Sequence, residues 1–259
     1  MISIIKTGLI TAIFLTISLT LFAKGPHDFY QIKIFHCKTD SQLKQVNDYL
    51  ENEYLPVLHR FNIKDIGVFE PIGNDTASNK MIYVLIPFTS EEEWLKIDEN
   101  LLKDITYATA AKDFLSAPAD EAPYVRMESI LLEAFSGQEK LLLPTTKDTG
   151  RVFELRSYES PTENLLAKKM AMFNKDEINI FNRLGFNPVF YGRVVSGSHM
   201  PNLMYMPIFK SVEERNAQWK VFGNDAKWKE ISADPENENK VSVSHIDSIL
   251  MHSTSYSDY

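Results

Sequence analysis

The sequence predicts an α+β protein in which two tandem βαββαβ units close into one pseudo-dimeric α/β barrel. Two observations lead there. Short strands in which apolar and polar residues alternate open each half of the chain, at 29–35 and at 152–158. A strand, cap and helix pattern then recurs at an offset of about 121 residues, the run 81–90 (MIYVLIPFTS) lining up with 202–211 (NLMYMPIFKS).

The elements follow in order. After the strand 152–158, Ser160-Pro161-Thr162-Glu163 combines a capping serine, a proline at the first helical position and a glutamate placed to close a capping box. The helix it starts runs to Gly185 with an apolar stripe of Leu166, Met170, Phe173, Ile180, Phe181 and Leu184. In the first half Thr39 or Asp40 caps the equivalent helix, whose stripe is Leu43, Val46, Leu50, Tyr54, Val57, Leu58 and Phe61. Second strands at 66–70 and 189–195 lead through polar loops into the third strands. Ser90 and Ser211 then cap further helices, and closing strands at 125–132 and 241–250 complete each unit. This order is the ferredoxin-like unit, read twice, at 27–135 and 151–259 with a linker at 136–150.

Such a sheet covers one face with its own helices and leaves the other open. With Ile32, Ile34, Phe153 and Leu155 assigned to the helix side, the open faces carry Gln31, Lys33 and Phe35 in one unit and Glu154, Arg156 and Tyr158 in the other. Two open faces meeting in one chain give a barrel with a mixed polar and aromatic interior.

The chain has 259 residues, 44% of them hydrophobic and 24% charged, with a formal net charge of −8, an ordinary globular composition. An acidic chain without a basic block does not neutralise phosphates, so nucleic acid is not an expected partner. Residues 7–23 carry no charge, follow Lys6 and end at Ala23 before Lys24-Gly25-Pro26. That pattern is a secretory signal peptide over 1–23 with cleavage near Ala23, giving an exported, periplasmic or secreted protein; an uncleaved membrane anchor is the competing reading. The single Cys37 excludes an intramolecular disulfide and reads as an inert thiol.

The second half resembles the NIPSNAP family of dimeric α/β-barrel proteins. Glu154-Leu155-Arg156-Ser157-Tyr158 is similar to that family's opening strand, and Asn202-Leu203-Met204-Tyr205 with Phe209-Lys210-Ser211 to its third strand and turn. Arg215, Trp219, Phe222, Asp225 and Trp228 follow its helix pattern. The resemblance covers 150–256; over 29–135 it is looser, as for a diverged copy. Glu53 and Asp176 stand where many members carry a histidine on the first helix. The resemblance implies a fold and a habit of pairing two units, so a homo-oligomer is open; it implies no established reaction or cofactor.

The ten glycines include no dinucleotide, nucleotide or hydrolase motif, and the histidines at 27, 36, 59, 199, 245 and 252 show no zinc spacing, so neither cofactor nor metal is expected. The candidate ligand-binding set is Glu154, Arg156 and Tyr158, with Tyr205 and His245 from neighbouring strands. Arg156 suits a carboxylate or phosphate, the tyrosines give aromatic walls, and His245 or Tyr158 would serve as acid or base. Glu154 and Arg156 also read as a pair tying the sheets together. Trp219 and Trp228 read as core, and Met200, Met204 and Met206 as adaptable packing. Three functions stay open: binding of a small organic ligand inside the barrel, a cofactor-light enzyme of monooxygenase or isomerase type, and a structural or protein-interaction module with a filled barrel.

Overall fold

The alternating strands and capped amphipathic helices assemble into a single closed sheet wrapped by helices. The computed structural model describes residues 27–259 apart from 145–147, 149, 236 and 238. The signal peptide expected at 1–23 lies outside the described residues. Among those described, no helix is long and apolar enough to cross a membrane.

The first unit consists of β1 (Phe29–Cys37), α1 (Asp40–Tyr49), a π-helical turn (Leu50–Tyr54), α2 (Leu55–Arg60), β2 (Gly67–Pro71), β3 (Lys80–Phe88), α3 (Glu91–Lys103), α4 (Ile105–Ala110), α5 (Lys112–Leu115) and β4 (Arg126–Ala134). The second repeats it with β5 (Val152–Glu159), α6 (Glu163–Met172), a π-helical turn (Phe173–Glu177), α7 (Ile178–Arg183), β6 (Asn187–Ser196), β7 (Asn202–Phe209), α8 (Val212–Asn224), α9 (Ala226–Ser232), α10 (Asn239–Ser242) and β8 (His245–Ser253). Side chains of Thr39, Ser90 and Ser211 accept hydrogen bonds from the first turns of their helices. Two local expectations move. Thr162, not Ser160, caps α6, because its hydroxyl is the one that reaches a first-turn amide, that of Leu165. The closing strand begins at His245, because residues 239–242 wind into α10.

Strands close in the order β1-β3-β2-β8-β5-β7-β6-β4, all antiparallel. Each unit contributes four neighbours, β4-β1-β3-β2 and β8-β5-β7-β6, and two seams, β2 with β8 and β4 with β6, join them. At the second seam the chains approach so closely that a Cβ on Gly192 would lie 3.0 Å from the Cβ of Leu132.

The lumen overturns the expected polar interior. It is packed with Tyr30, Ile32, Ile34, Phe69, Phe153, Leu155, Phe190, Met204, Met206, Met251 and their neighbours, drawn from all eight strands. Strand faces are therefore the reverse of the expectation: Ile32, Ile34, Phe153 and Leu155 point inward, and Gln31, Lys33, Phe35, Glu154, Arg156 and Tyr158 point out beneath the helices. A closed barrel gives its inward side chains neither water nor helix-borne partners, so apolar residues occupy it. Charged residues sit on the outward face, where the helices bring polar partners to them: Tyr54 to Lys33, and Arg215 and Trp219 to Glu154.

The segment after β8 doubles back along β2, with Thr254 and Asp258 amides on the carbonyls of Val68 and Ile66. Tyr259 thereby enters the lumen, its ring 5.4 Å from Phe69 and 6.1 Å from Phe153. Because Phe153 is fully buried and 4.8 Å from Phe69, Phe153→Ala is expected to cost about 3–5 kcal/mol. Urea unfolding followed by far-UV circular dichroism measures this, and a loss under about 1 kcal/mol would mean the lumen is loosely packed.

Candidate functional site

Centred on the outward face of β5, a polar cluster lies between the sheet and the helices of the second unit. Glu154 is completely buried. Five donors converge on its carboxylate: Arg156 Nη1 at 2.5 Å, Arg215 Nε at 2.9 Å and Nη2 at 2.6 Å, Trp219 Nε1 at 2.7 Å and Ser248 Oγ at 2.6 Å. Burial alone would push this carboxyl up, but hydrogen bonds from Arg215, Ser248 and Trp219 and the charge of Arg156 overcome it and hold its pKa at about 2. The Glu154–Arg156 pair thus lies within one strand and ties α8 to the barrel rather than one sheet to the other.

Arg156 continues the network inward. Its Nε and Nη2 donate to the Tyr158 hydroxyl at 3.3 and 2.9 Å, and the Tyr205 hydroxyl donates to Tyr158 at 3.0 Å. Its guanidinium carbon lies 4.6 Å from the Trp219 ring centre. The fold therefore brings Glu154, Arg156, Tyr158 and Tyr205 together as a connected set.

Beyond them lies a group the sequence reading passed over. Glu177, the last residue of the π-helical turn, is 3% exposed, and its Oε2 makes no hydrogen bond. Lys169 Nζ stands 3.9 Å from that oxygen and donates to Asn239 Oδ1 at 3.0 Å. Burial raises the Glu177 pKa to about 7 against the opposing charges of Lys169 and Arg156, and burial likewise lowers that of Lys169. Tyr158, Tyr191 and Tyr205, all pushed up first by burial, also feel the Glu177 charge. The Tyr191 hydroxyl, too, makes no hydrogen bond. Arg156, Lys169, Glu177 and three phenols thus lie together in a buried, water-poor region, with Lys169 Nζ 5.4 Å from the Phe173 ring centre and 5.8 Å from that of Trp228. A buried carboxyl with a shifted pKa beside two cations and three phenols has the chemistry of a proton-transfer group.

Position 177 is legible in hindsight. It falls in the helix stripe of Leu166, Met170, Phe173, Ile180 and Phe181, where an apolar residue belongs. A carboxylate on a core-facing position was the available signal. Asp176, one residue earlier, is the position the family resemblance matched to a histidine.

The first unit holds a less charged counterpart of this constellation. Gln31, Lys33 and Phe35 occupy the places of Glu154, Arg156 and Tyr158, and Val46, Tyr54 and Val84 those of Lys169, Glu177 and Tyr205. Gln31 Nε2 donates to Ser129 at 2.8 Å and Lys33 Nζ to the Tyr54 hydroxyl at 2.9 Å. The geometry repeats, and the concentration of charge does not.

His245 does not join the set. It opens β8 at the rim of the barrel, exposed, with Nε2 3.1 Å from Asp247 Oδ1. Glu159, His245 and Asp247 each offer a donor atom within 4.8 Å of the others, a grouping that spans two strands and so has no histidine-pair spacing in the sequence. Cys37 is buried, and burial with the nearby Glu70 raises its thiol pKa to about 11. Trp219 and Trp228 pack around Phe222, and Met204 and Met206 line the lumen.

The two glutamates give opposite pH dependences. Glu154, depressed in the fold, contributes stability that is present above its unfolded pKa near 4.5 and lost as pH falls toward 2. Glu177, raised in the fold, contributes stability that is present below 4.5 and lost as pH rises through 7. Each arm is on the order of 3 kcal/mol. Urea unfolding from pH 2 to 9 should show Glu177→Gln flattening only the fall in stability between about pH 4.5 and 7, and Glu154→Gln only the fall below about pH 4.5. Glu154→Ala, which strands two arginines, is expected to cost about 3–5 kcal/mol at pH 7; parallel wild-type and variant pH curves would contradict both assignments.

Comparison with known proteins agrees with this architecture. Residues 153–258 match the NIPSNAP family model. No curated protein matches the sequence. Similar solved structures include a protein provisionally named a monooxygenase from Fusobacterium nucleatum, 12% identical with a TM-score of 0.56 over 88% of this chain and 92% of that one. Another so named, from Lactobacillus acidophilus, is 11% identical with a TM-score of 0.55 over 88% and 94%. An anthrone oxidase-like protein is 8% identical with a TM-score of 0.52 over 88% and 92%. At these identities the likeness is one of fold. The second unit of the closed eight-stranded barrel is therefore the part of the chain that matches the NIPSNAP family model, over residues 153–258.

Proposed function

We propose that this protein binds a small acidic organic molecule, a carboxylic acid, phenol or enol, between the sheet and helices of the second unit, and exchanges a proton with it through Glu177. One observation carries the reading. Glu177 is a buried carboxylate without a hydrogen bond on Oε2, set among Lys169, Arg156 and three phenols, where the first unit has Tyr54 paired with Lys33. A carboxyl with a pKa at about 7 is half protonated at neutral pH, which suits it to both halves of a proton transfer. Lys169 and Arg156 supply cationic charge for the ligand's anionic form, while Tyr158 and Phe173 provide flat apolar walls.

The barrel lumen, by contrast, favours no ligand, since its side chains already fill it. That packing favours the barrel as a structural support in its own right. An enzyme acting on such a molecule is the catalytic form of the same proposal; the names carried by the neighbouring structures, monooxygenase and anthrone oxidase-like, bring an enzyme on this fold into view by analogy alone. The proposal includes export: residues 7–23 form an uncharged apolar run, and the mature chain begins at Lys24. A second copy of the chain is not required for the barrel to close.

Trp228, whose ring centre lies 5.8 Å from Lys169 Nζ, provides the readout. Titration with salicylate and with naphthol, followed by tryptophan fluorescence, should saturate in the wild type. Lys169→Met should weaken salicylate more than about tenfold, with circular dichroism unchanged. No saturable response to either probe, or equal binding by Lys169→Met, would overturn the proposal. N-terminal sequencing of protein recovered from outside the cytoplasm should begin at Lys24; an intact Met1 there would overturn cleavage.

A further inference from the structure

A second constellation lies at the end of the barrel where β5 finishes and β8 begins. Glu159 and His245 are directly opposite in the β5–β8 register, and Asp247, two residues along β8, projects to the same side. That side is the lumen side, shared with Leu155 on β5 and Met251 on β8, so the three side chains stand on the rim above the apolar filling. The juxtaposition is held from the backbone. Both the amide and the hydroxyl of Ser244 donate to the Glu159 carbonyl, at 2.8 and 3.2 Å, which fixes the strand ends against each other.

Donor atoms of Glu159, His245 and Asp247 all lie within 4.8 Å of one another. Ligands spaced around a common ion at about 2.0–2.2 Å stand roughly 3–3.5 Å apart, so small side-chain rotations suffice to bring the three into coordination. His245 Nε2 and Asp247 Oδ1, at 3.1 Å, already have that spacing. Glu159 is held in turn by His199, whose Nδ1 is 3.1 Å from Oε1, from a loop residue with a φ of +63°. The imidazole of His199 has the relation to Glu159 that outer-shell partners have to metal-binding carboxylates.

The donor chemistry selects the ion class. One imidazole nitrogen and two carboxylates form a mixed nitrogen and oxygen set suited to zinc and its late first-row neighbours; calcium and magnesium prefer oxygen throughout. His245 and Asp247 are more than half exposed, at 58% and 55%, which leaves coordination positions for water. We propose that Glu159, His245 and Asp247 bind one divalent transition-metal ion of the zinc class at the barrel rim, with His199 positioning Glu159. This site is separate from the Glu177 space, which lies on the helix side of the sheet, and it stands whether or not that space binds a ligand.

The test is competition for zinc between the metal-free full chain and a chromophoric chelator at pH 7.5, with wild type, His245→Ala, Asp247→Asn and His199→Ala in parallel. One zinc per chain is expected in the wild type. His245→Ala and Asp247→Asn should each weaken it at least about tenfold and His199→Ala by a smaller factor, with unchanged circular dichroism. Failure of the wild type to compete would overturn the site. Wild-type affinity in both His245→Ala and Asp247→Asn would also overturn it, by placing the zinc elsewhere.

Discussion

The second unit is organised around the carboxylate of Glu154. A fully buried negative charge costs several kcal/mol to desolvate unless its lone pairs are filled. Here they are filled from three directions: by Arg156 on the same strand, Ser248 on the neighbouring strand, and Arg215 and Trp219 on α8. The arrangement fixes where α8 lies on the barrel. It also fixes Arg156, whose remaining donors then hold Tyr158 and, through it, Tyr205. The space around Glu177 inherits its walls from this network.

Internal duplication makes the specialisation of that space visible. Both units bend their first helix through a π-helical turn at the same place, and both direct a cation from the first strand beneath that helix. In the first unit the cation, Lys33, donates to the Tyr54 hydroxyl and lies 3.9 Å from the exposed carboxylate of Asp98. In the second it meets carboxylates and phenols. A closed barrel needs both units to complete its ring of strands, while chemistry needs only one of them. The first unit therefore supplies half of the ring and a packed face, and the second carries the buried carboxylates Glu154 and Glu177.

Much of the fold was legible because period-two strands, capping residues and the 121-residue offset are local signals. Ser90 and Ser211 cap their helices as the sequence indicates, and the βαββαβ order recurs as read. The faces of the strands were not legible. Alternation establishes that Phe153 and Leu155 lie opposite Glu154 and Arg156, but both sides of β5 become buried, and which side is dry depends on closure of the barrel. The site was legible in part for the same reason. Glu154, Arg156, Tyr158 and Tyr205 do converge, though beneath the helices, and His245 lies apart at the rim. Glu177 and Lys169 were hidden because a polar residue in an apolar stripe reads as a gap in the pattern until the opposing sheet is in place.

The central claim is that the fold holds Glu177 as a carboxyl titrating near neutrality. It is tested most directly by following the side-chain carboxyl carbon of Glu177 by nuclear magnetic resonance in glutamate-labelled protein from pH 3 to 9, with Glu177→Gln providing the assignment. A midpoint at about 7 is the expected result. A midpoint near the ordinary glutamate value of about 4.3 would contradict the account, because it would mean that water or a cation already satisfies the group and that the space beneath α6 and α7 is not set up for proton exchange.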